Sequence, residues 1–66
     1  MKVALNGEDR EIDPATSILQ LLELAGYAQR RVAVEVNREI VPRSCHDSHP
    51  LNPGDRIEIV HAIGGG

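Results

Sequence analysis

At 66 residues the chain is about half the size of a typical domain, so one domain is expected, too small to enclose both a cofactor and a substrate. Hydrophobic residues at 41% and charged residues at 26% exclude disordered composition, and a net charge of −3 excludes nucleic-acid binding driven by phosphate contacts. No apolar run approaches the ~18 residues of a membrane span. Tyr27 is the sole aromatic residue, so the core has to be built from Val, Ile, Leu and Ala. Cys45 is the sole cysteine, and an intrachain disulfide is impossible. The opening MKVALNGEDR has no signal-peptide h-region before its charges begin. Together with the missing staples this leads to an expected cytoplasmic location.

The first segment, KVALN, alternates. Val3 and Leu5 point one way, Lys2, Ala4 and Asn6 the other, which is the period-2 signal of a half-buried strand. Asn6-Gly7 then predicts a tight hairpin, because a type I′ turn needs positive φ at both central residues. Glu8 to Ile12 runs back as a polar strand with Ile12 inward, and its charges suit a solvated sheet edge. Asp13-Pro14 ends the hairpin. Ser17 and Gln20 have capping-box spacing and predict a helix start. Ile18, Leu21, Leu22 and Ala25 form one apolar face, and Gly26 suits the position after the helix end. The predicted helix has roughly 9 residues and depends on packing rather than on propensity.

Val32 to Val36 is the next strand, with the three valines on one side and Ala33 and Glu35 on the other. Asn37-Arg38 reads as a turn, and Glu39-Ile40-Val41 as a short return strand stopped by Pro42. Arg43 to Pro53 reads as irregular, with Leu51 as its apolar anchor. Pro53-Gly54-Asp55 predicts a tight turn. The last strand, Arg56 to His61, carries Ile57 and Ile59 inward.

The order is β-β-α-β-β-β, an α+β pattern. One helix has to cover one face of a mixed sheet of about five strands, with the first and last strands central and parallel and the helix as crossover. This is the β-grasp, ubiquitin-like architecture. Residues 1–63 are expected to form it, and 64–66 to be a flexible glycine tail. The expected core is Val3, Leu5, Ile12, Ile18, Leu21, Leu22, Ala25, Val32, Val34, Val36, Leu51, Ile57 and Ile59.

Three of the six glycines are the last three residues, and nothing in the fold needs them there. A carboxylate is a poor electrophile, so its use requires a leaving group. Attack on the α-phosphate of ATP supplies one as an acyl-adenylate, and a sulfur nucleophile can then displace AMP. A narrow partner channel holding ATP and magnesium would accept a backbone without Cβ atoms. Fully extended, Ala62 to Gly66 spans at most ~17 Å, enough to enter a buried site while the body stays outside. In this reading Gly66 is the modified residue and the chain is a co-substrate, not an enzyme, with no bound cofactor and no metal. Ala4, Val60, Ala62, Ile63, Gly64 and Gly65 are the candidate partner-binding residues.

The segments VAVEVNREIVPRS and GDRIEIVHAIGGG, with the LNGE hairpin, resemble the ThiS family of sulfur carriers in thiamine biosynthesis. The resemblance covers essentially the whole chain. It implies adenylation of Gly66 by a ThiF-type adenylyltransferase using ATP. It further implies conversion to a thiocarboxylate with sulfur from a cysteine-desulfurase persulfide, and delivery of that sulfur to the thiazole synthase ThiG. The family's terminal Gly-Gly maps onto Gly65 and Gly66. Two positions depart from the family pattern: Arg38 stands where a turn glycine is common, and His46 replaces an aromatic.

Other readings compete. Cys45-His46-Asp47 has the residue types of a cysteine protease, but triads are assembled from distant parts of a chain. Cys45, His46 and His49 could supply three metal ligands, with Asp47 or His61 as a fourth, whereas structural zinc takes four fixed ligands. A solvated loop is the expected state of this stretch. Cys45 could itself carry a persulfide. At the level of function the alternatives are a carrier for another pathway, such as molybdopterin synthesis, a ubiquitin-like interaction module without sulfur chemistry, and a small metal-binding protein.

Overall fold

The structure is a computed structural model and describes residues 1–27 and 30–61. Asn6 and Gly7 both take positive φ, 50° and 85°, the backbone that a two-residue hairpin turn requires. The turn joins β1, Lys2–Leu5, to β2, Glu8–Glu11, paired antiparallel from Lys2↔Glu11 to Leu5↔Glu8. Ile12 lies just past β2 and is buried.

Helix α1 spans Ile18–Leu24, shorter than the spacing predicts. Both ends are fixed by local chemistry. At the start, Gln20 N–H donates to Ser17 Oγ at 3.1 Å and Ser17 N–H donates to Gln20 Oε1 at 3.0 Å, the reciprocal capping box. At the end, Gly26 adopts φ 87°. Tyr27 N–H then reaches Leu22 C=O at 2.7 Å and Gly26 N–H reaches Glu23 C=O at 3.2 Å. This closed pattern satisfies the last carbonyls and stops the helix. Ala25 is therefore the cap rather than a helical residue.

Strand β3, Val32–Val36, pairs with β4, Glu39–Val41, through a turn at Asn37 and Arg38. Both turn residues have positive φ, 52° and 71°, so Arg38 holds a conformation normally given to glycine. Strand β5, Arg56–His61, follows the turn 52–55, where Gly54 takes φ 84° and Asp55 N–H donates to Asn52 C=O at 3.1 Å. The sheet order is β2-β1-β5-β3-β4. β5 runs parallel to β1 and antiparallel to β3, the β-grasp arrangement that the element order predicts.

The helix covers one sheet face. Ile18, Leu21, Ile57, Val3 and Val34 are the largest fully buried side chains. Ala25 and Val32 of the expected core are only partly buried against it, and Val41, not expected there, joins it. Val41 reaches the core because β4 pairs with it opposite the buried Val34, and paired residues share a face.

The stretch after β4 departs from the expected irregular, solvated loop. Arg43–Cys45 forms a 3₁₀ turn, and His46 is only 5% exposed. Its Nε2 lies 3.1 Å from Val41 C=O. A carbonyl can only accept, so Nε2 carries the proton. The His46 carbonyl in turn accepts Leu19 N–H at 3.0 Å, satisfying a helix N-terminal donor that has no partner within its own helix. The imidazole is thus a buried, hydrogen-bonded ring rather than part of a solvated loop.

Candidate functional site

The strand that leads to the glycine tail is β5, in the middle of the sheet. Ile57 and Ile59 point under the helix, while Glu58 and Val60 point to the open face, with Val60 47% exposed. The alternation is a consequence of the pleat. Antiparallel pairing with β3 places Ala33 opposite Val60 and Glu35 opposite Glu58. Ile40 on β4 stands opposite Glu35 and is 70% exposed. The open face near the end of β5 is therefore a small apolar pair, Val60 and Ala33, beside two glutamates.

Of the expected partner-binding residues, Ala4 is not next to Val60. Ala4 is half-buried on β1 and level with Arg56. Val60 lies four residues further along β5, about 13 Å away at ~3.3 Å per residue. Ala33 takes the neighbouring place instead. The outward direction of Ala33 was legible in its strand, but its height relative to Val60 depends on the register, which no local pattern supplies. Ala62, Ile63, Gly64, Gly65 and Gly66 lie outside the described residues. His61, the last described residue, has its ring 6.0 Å from that of Tyr27 at 50°, a tilted aromatic contact. That contact ties the end of β5 to the segment after the helix.

The cysteine–histidine stretch is not assembled as a reaction centre. Cys45 is half-buried, with Sγ 4.0 Å from Ser44 Oγ. His46 turns its Nε2 to Val41 C=O. His49 contributes a backbone N–H to Cys45 C=O at 2.8 Å. Among the described residues no three His, Cys, Asp or Glu side chains converge on one point.

A second polar cluster was not anticipated. Asp55, buried, accepts Asn37 Nδ2 at 3.0 Å and Asn52 N–H at 2.8 Å. Asn37 Oδ1 accepts Arg56 N–H at 3.0 Å, and Asn37 N–H donates to Arg56 C=O at 2.7 Å. The cluster bolts the β3–β4 turn to the start of β5. Its groups bond one another, so its role is to set the strand's entry rather than to do chemistry.

The ThiS family model matches residues 3–66. The chain belongs to the ThiS family. It is 41% identical over 64 residues to the sulfur carrier protein ThiS of Bacillus subtilis, covering 94% of this chain and 96% of that protein. It is 46% identical over 66 residues to the thiazole synthase of Paramagnetospirillum magneticum. The match takes in the whole of this chain and 20% of the other, so this chain spans about a fifth of the length of that relative. The crystal structure of the thiamine biosynthesis protein ThiS from Geobacter metallireducens superposes with a TM-score of 0.84 at 32% identity over the whole of both chains. The ThiS β-grasp and the fold described above are the same.

Proposed function

We propose that the chain is a sulfur carrier of thiamine biosynthesis, a protein co-substrate whose Gly66 carboxylate is activated and then bears the sulfur. The observation that carries this reading is the ThiS match running through residue 66, on a sequence whose last three residues are glycine.

The chemistry follows from the weak electrophilicity of a carboxylate. Its oxygen attacks the α-phosphorus of magnesium-bound ATP on a ThiF-type adenylyltransferase, and pyrophosphate leaves. A persulfide sulfur, supplied through a cysteine desulfurase, attacks the acyl carbon and AMP leaves. A thiol then attacks the acyl disulfide, forms a new disulfide and frees the thiocarboxylate. The sulfur passes to a thiazole synthase of the ThiG type. Relatives named thiazole synthase that match this chain over part of their length support that destination. The chain's own contribution is to present a carboxylate at the end of a side-chain-free segment, beyond a rigid five-stranded body.

Intact mass after incubation with the adenylating enzyme, ATP and a sulfur donor tests the proposal. Exchange of a carboxylate oxygen for sulfur adds about 16 Da, confined to the C-terminal peptide. Cys45→Ser gains the same mass, and a chain lacking Gly66 gains none. Mass gain on the Cys45 peptide, or on the truncated chain, overturns the assignment. No gain at all favours an interaction module without sulfur chemistry.

A further inference from the structure

His46 has one ring nitrogen that the fold leaves unused. Nε2 carries the proton and faces Val41 C=O at 3.1 Å, so Nδ1 is an acceptor. Among the described residues no donor bonds it, although every buried side-chain nitrogen and oxygen there has a partner. Nδ1 is therefore the point at which solvent reaches a residue only 5% exposed. His46 lines a groove of about 460 Å³ between α1 and the 3₁₀ turn. Leu19, Leu22, Tyr27 and Val32 give the groove its apolar surface. Glu23, Arg30, Arg43 and Asp47 are exposed around it. Among the described residues these four charges form no ion pair. The result is an apolar hollow with one acceptor in its wall and free charges of both signs at its rim.

An acceptor set in apolar surroundings is satisfied at least cost by a flat apolar group with a single donor. Indole has that makeup, since its ring N–H only donates. An apolar centre within a polar rim is also the anatomy of a protein interface, where tryptophan is a favoured anchor. We propose that the groove seats a tryptophan side chain of the enzyme that adenylates Gly66, its indole N–H donating to His46 Nδ1. The inference rests on the carrier reading. The position of the groove suits that partner. Tyr27 in its wall has its ring 6.0 Å from that of His61, the last described residue of β5. An anchor at Tyr27 holds the body beside the end of this strand, and placement of a reacting carboxylate within ~1 Å governs the rate. A second copy of this chain has no ring to offer: the sequence holds no Trp and no Phe, and its one Tyr is already in the groove wall. A free small molecule fits less well, because such sites bury most of their ligand and Leu19 leaves this groove open, at 47% exposure.

Leu19 and Leu24 are both exposed on α1, at 47% and 69%, but on different flanks. Leu19 lines the groove, whereas Leu24 lies against Asp13 and Ala15. Leu19→Glu therefore puts a carboxylate in the groove, and Leu24→Glu is the matched control. Steady-state adenylation by the ATP-dependent activating enzyme is read for both, beside thermal melts. KM for Leu19→Glu is expected to rise roughly tenfold or more, and KM for Leu24→Glu to stay within about threefold of the parent. Equal KM values for the two overturn the docking and leave the carrier reading standing. Failure of the parent to be adenylated overturns the carrier reading, and the named partner with it. The hydrogen bond is tested on the carrier alone, by NMR titration with free indole and with N-methylindole, which keeps the ring and lacks the donor. Indole is expected to bind in the low millimolar range, shifting the Leu19 and Val32 amides and His46 Nδ1, and N-methylindole to bind about fivefold more weakly. Equal binding of the two, or no shift at the groove, overturns the indole seat. Should Leu19→Glu unfold, the parent decides: the Leu19 and Val32 amides shift on adding the enzyme, and unchanged positions overturn the proposal.

Discussion

Glu35 and Glu58 stand directly opposite each other on β3 and β5, two carboxylates on the open sheet face. Like charges at a paired position destabilise a sheet by a fraction of a kcal/mol up to about 1 kcal/mol. Among the described residues neither forms an ion pair. Glu58→Arg is expected to turn the repulsion into an attraction and to stabilise the fold by about 0.5–1 kcal/mol. In a domain of this size that raises Tm by several degrees. The gain shrinks at high salt, since Glu58 is exposed and Glu35 only half-buried. A melt unchanged at low salt would show that the two carboxylates already avoid each other.

Arg38 occupies the second position of the β3–β4 turn at φ 71°. A residue with a Cβ pays about 1–2 kcal/mol for the left-handed conformation. Glycine removes that cost but loses more entropy on folding. Arg38→Gly is expected to stabilise by about 0.5–1 kcal/mol, read as a higher urea midpoint at unchanged slope. A lower midpoint would mean that the arginine side chain makes contacts worth more than its backbone strain.

His46 is a core residue in a stretch of charges and hydroxyls. His46→Ala leaves a cavity between the 3₁₀ turn and the helix and removes the donor to Val41 C=O. The expected loss is about 2–3 kcal/mol. His46→Phe restores the volume without the hydrogen bond and should recover about half of it. Denaturant melts of both variants separate packing from hydrogen bonding.

What was readable in the sequence had local causes. Asn6-Gly7, the Ser17–Gln20 cap and Gly26 each state their conformation within a few residues. The alternation in VAVEV and RIEIV states which side is inward. The burial of His46 has no local cause: it arises because Val41 C=O and the helix start meet at one point across the fold. The Asn37–Asp55 contact joins residues 18 apart, and the Asn6–Ile59 contact joins residues 53 apart. Register has the same character, which is why Ala33 rather than Ala4 stands beside Val60. The expected role of the tail came from the three terminal glycines and the chemistry of carboxylate activation, with the ThiS resemblance added to them; β-strand physics alone does not supply it.

Ile59 and Val60 are neighbours with opposite surroundings. Ile59 is buried and Val60 is about half exposed. Ile59→Asp places a carboxylate under the helix at a cost of several kcal/mol, a large part of the stability of so small a domain. The expected outcome is an unfolded chain by circular dichroism at room temperature. Val60→Asp is expected to melt within a few degrees of the parent and to weaken binding to the adenylating enzyme, since it puts a charge in the apolar pair with Ala33. Equal melting temperatures for the two would contradict the strand's facing.

Gly65→Val separates fold from function at the other end of the chain. Residue 65 follows β5 by four positions, beyond the last core residue, Ile59, so stability is expected to move by a few tenths of a kcal/mol. Activation is a different matter. A β-branched side chain restricts the backbone conformations open to the tail and adds bulk where a narrow channel would accept a bare chain. Misplacing the Gly66 carboxylate by ~1 Å relative to the α-phosphorus costs on the order of a hundredfold in rate. ATP–pyrophosphate exchange with the adenylating enzyme reads that loss directly, and a thermal melt of the same sample reads the fold. Exchange at the parent rate would mean that no tight channel reads the tail, and Gly65 would then be a glycine for reasons unrelated to activation.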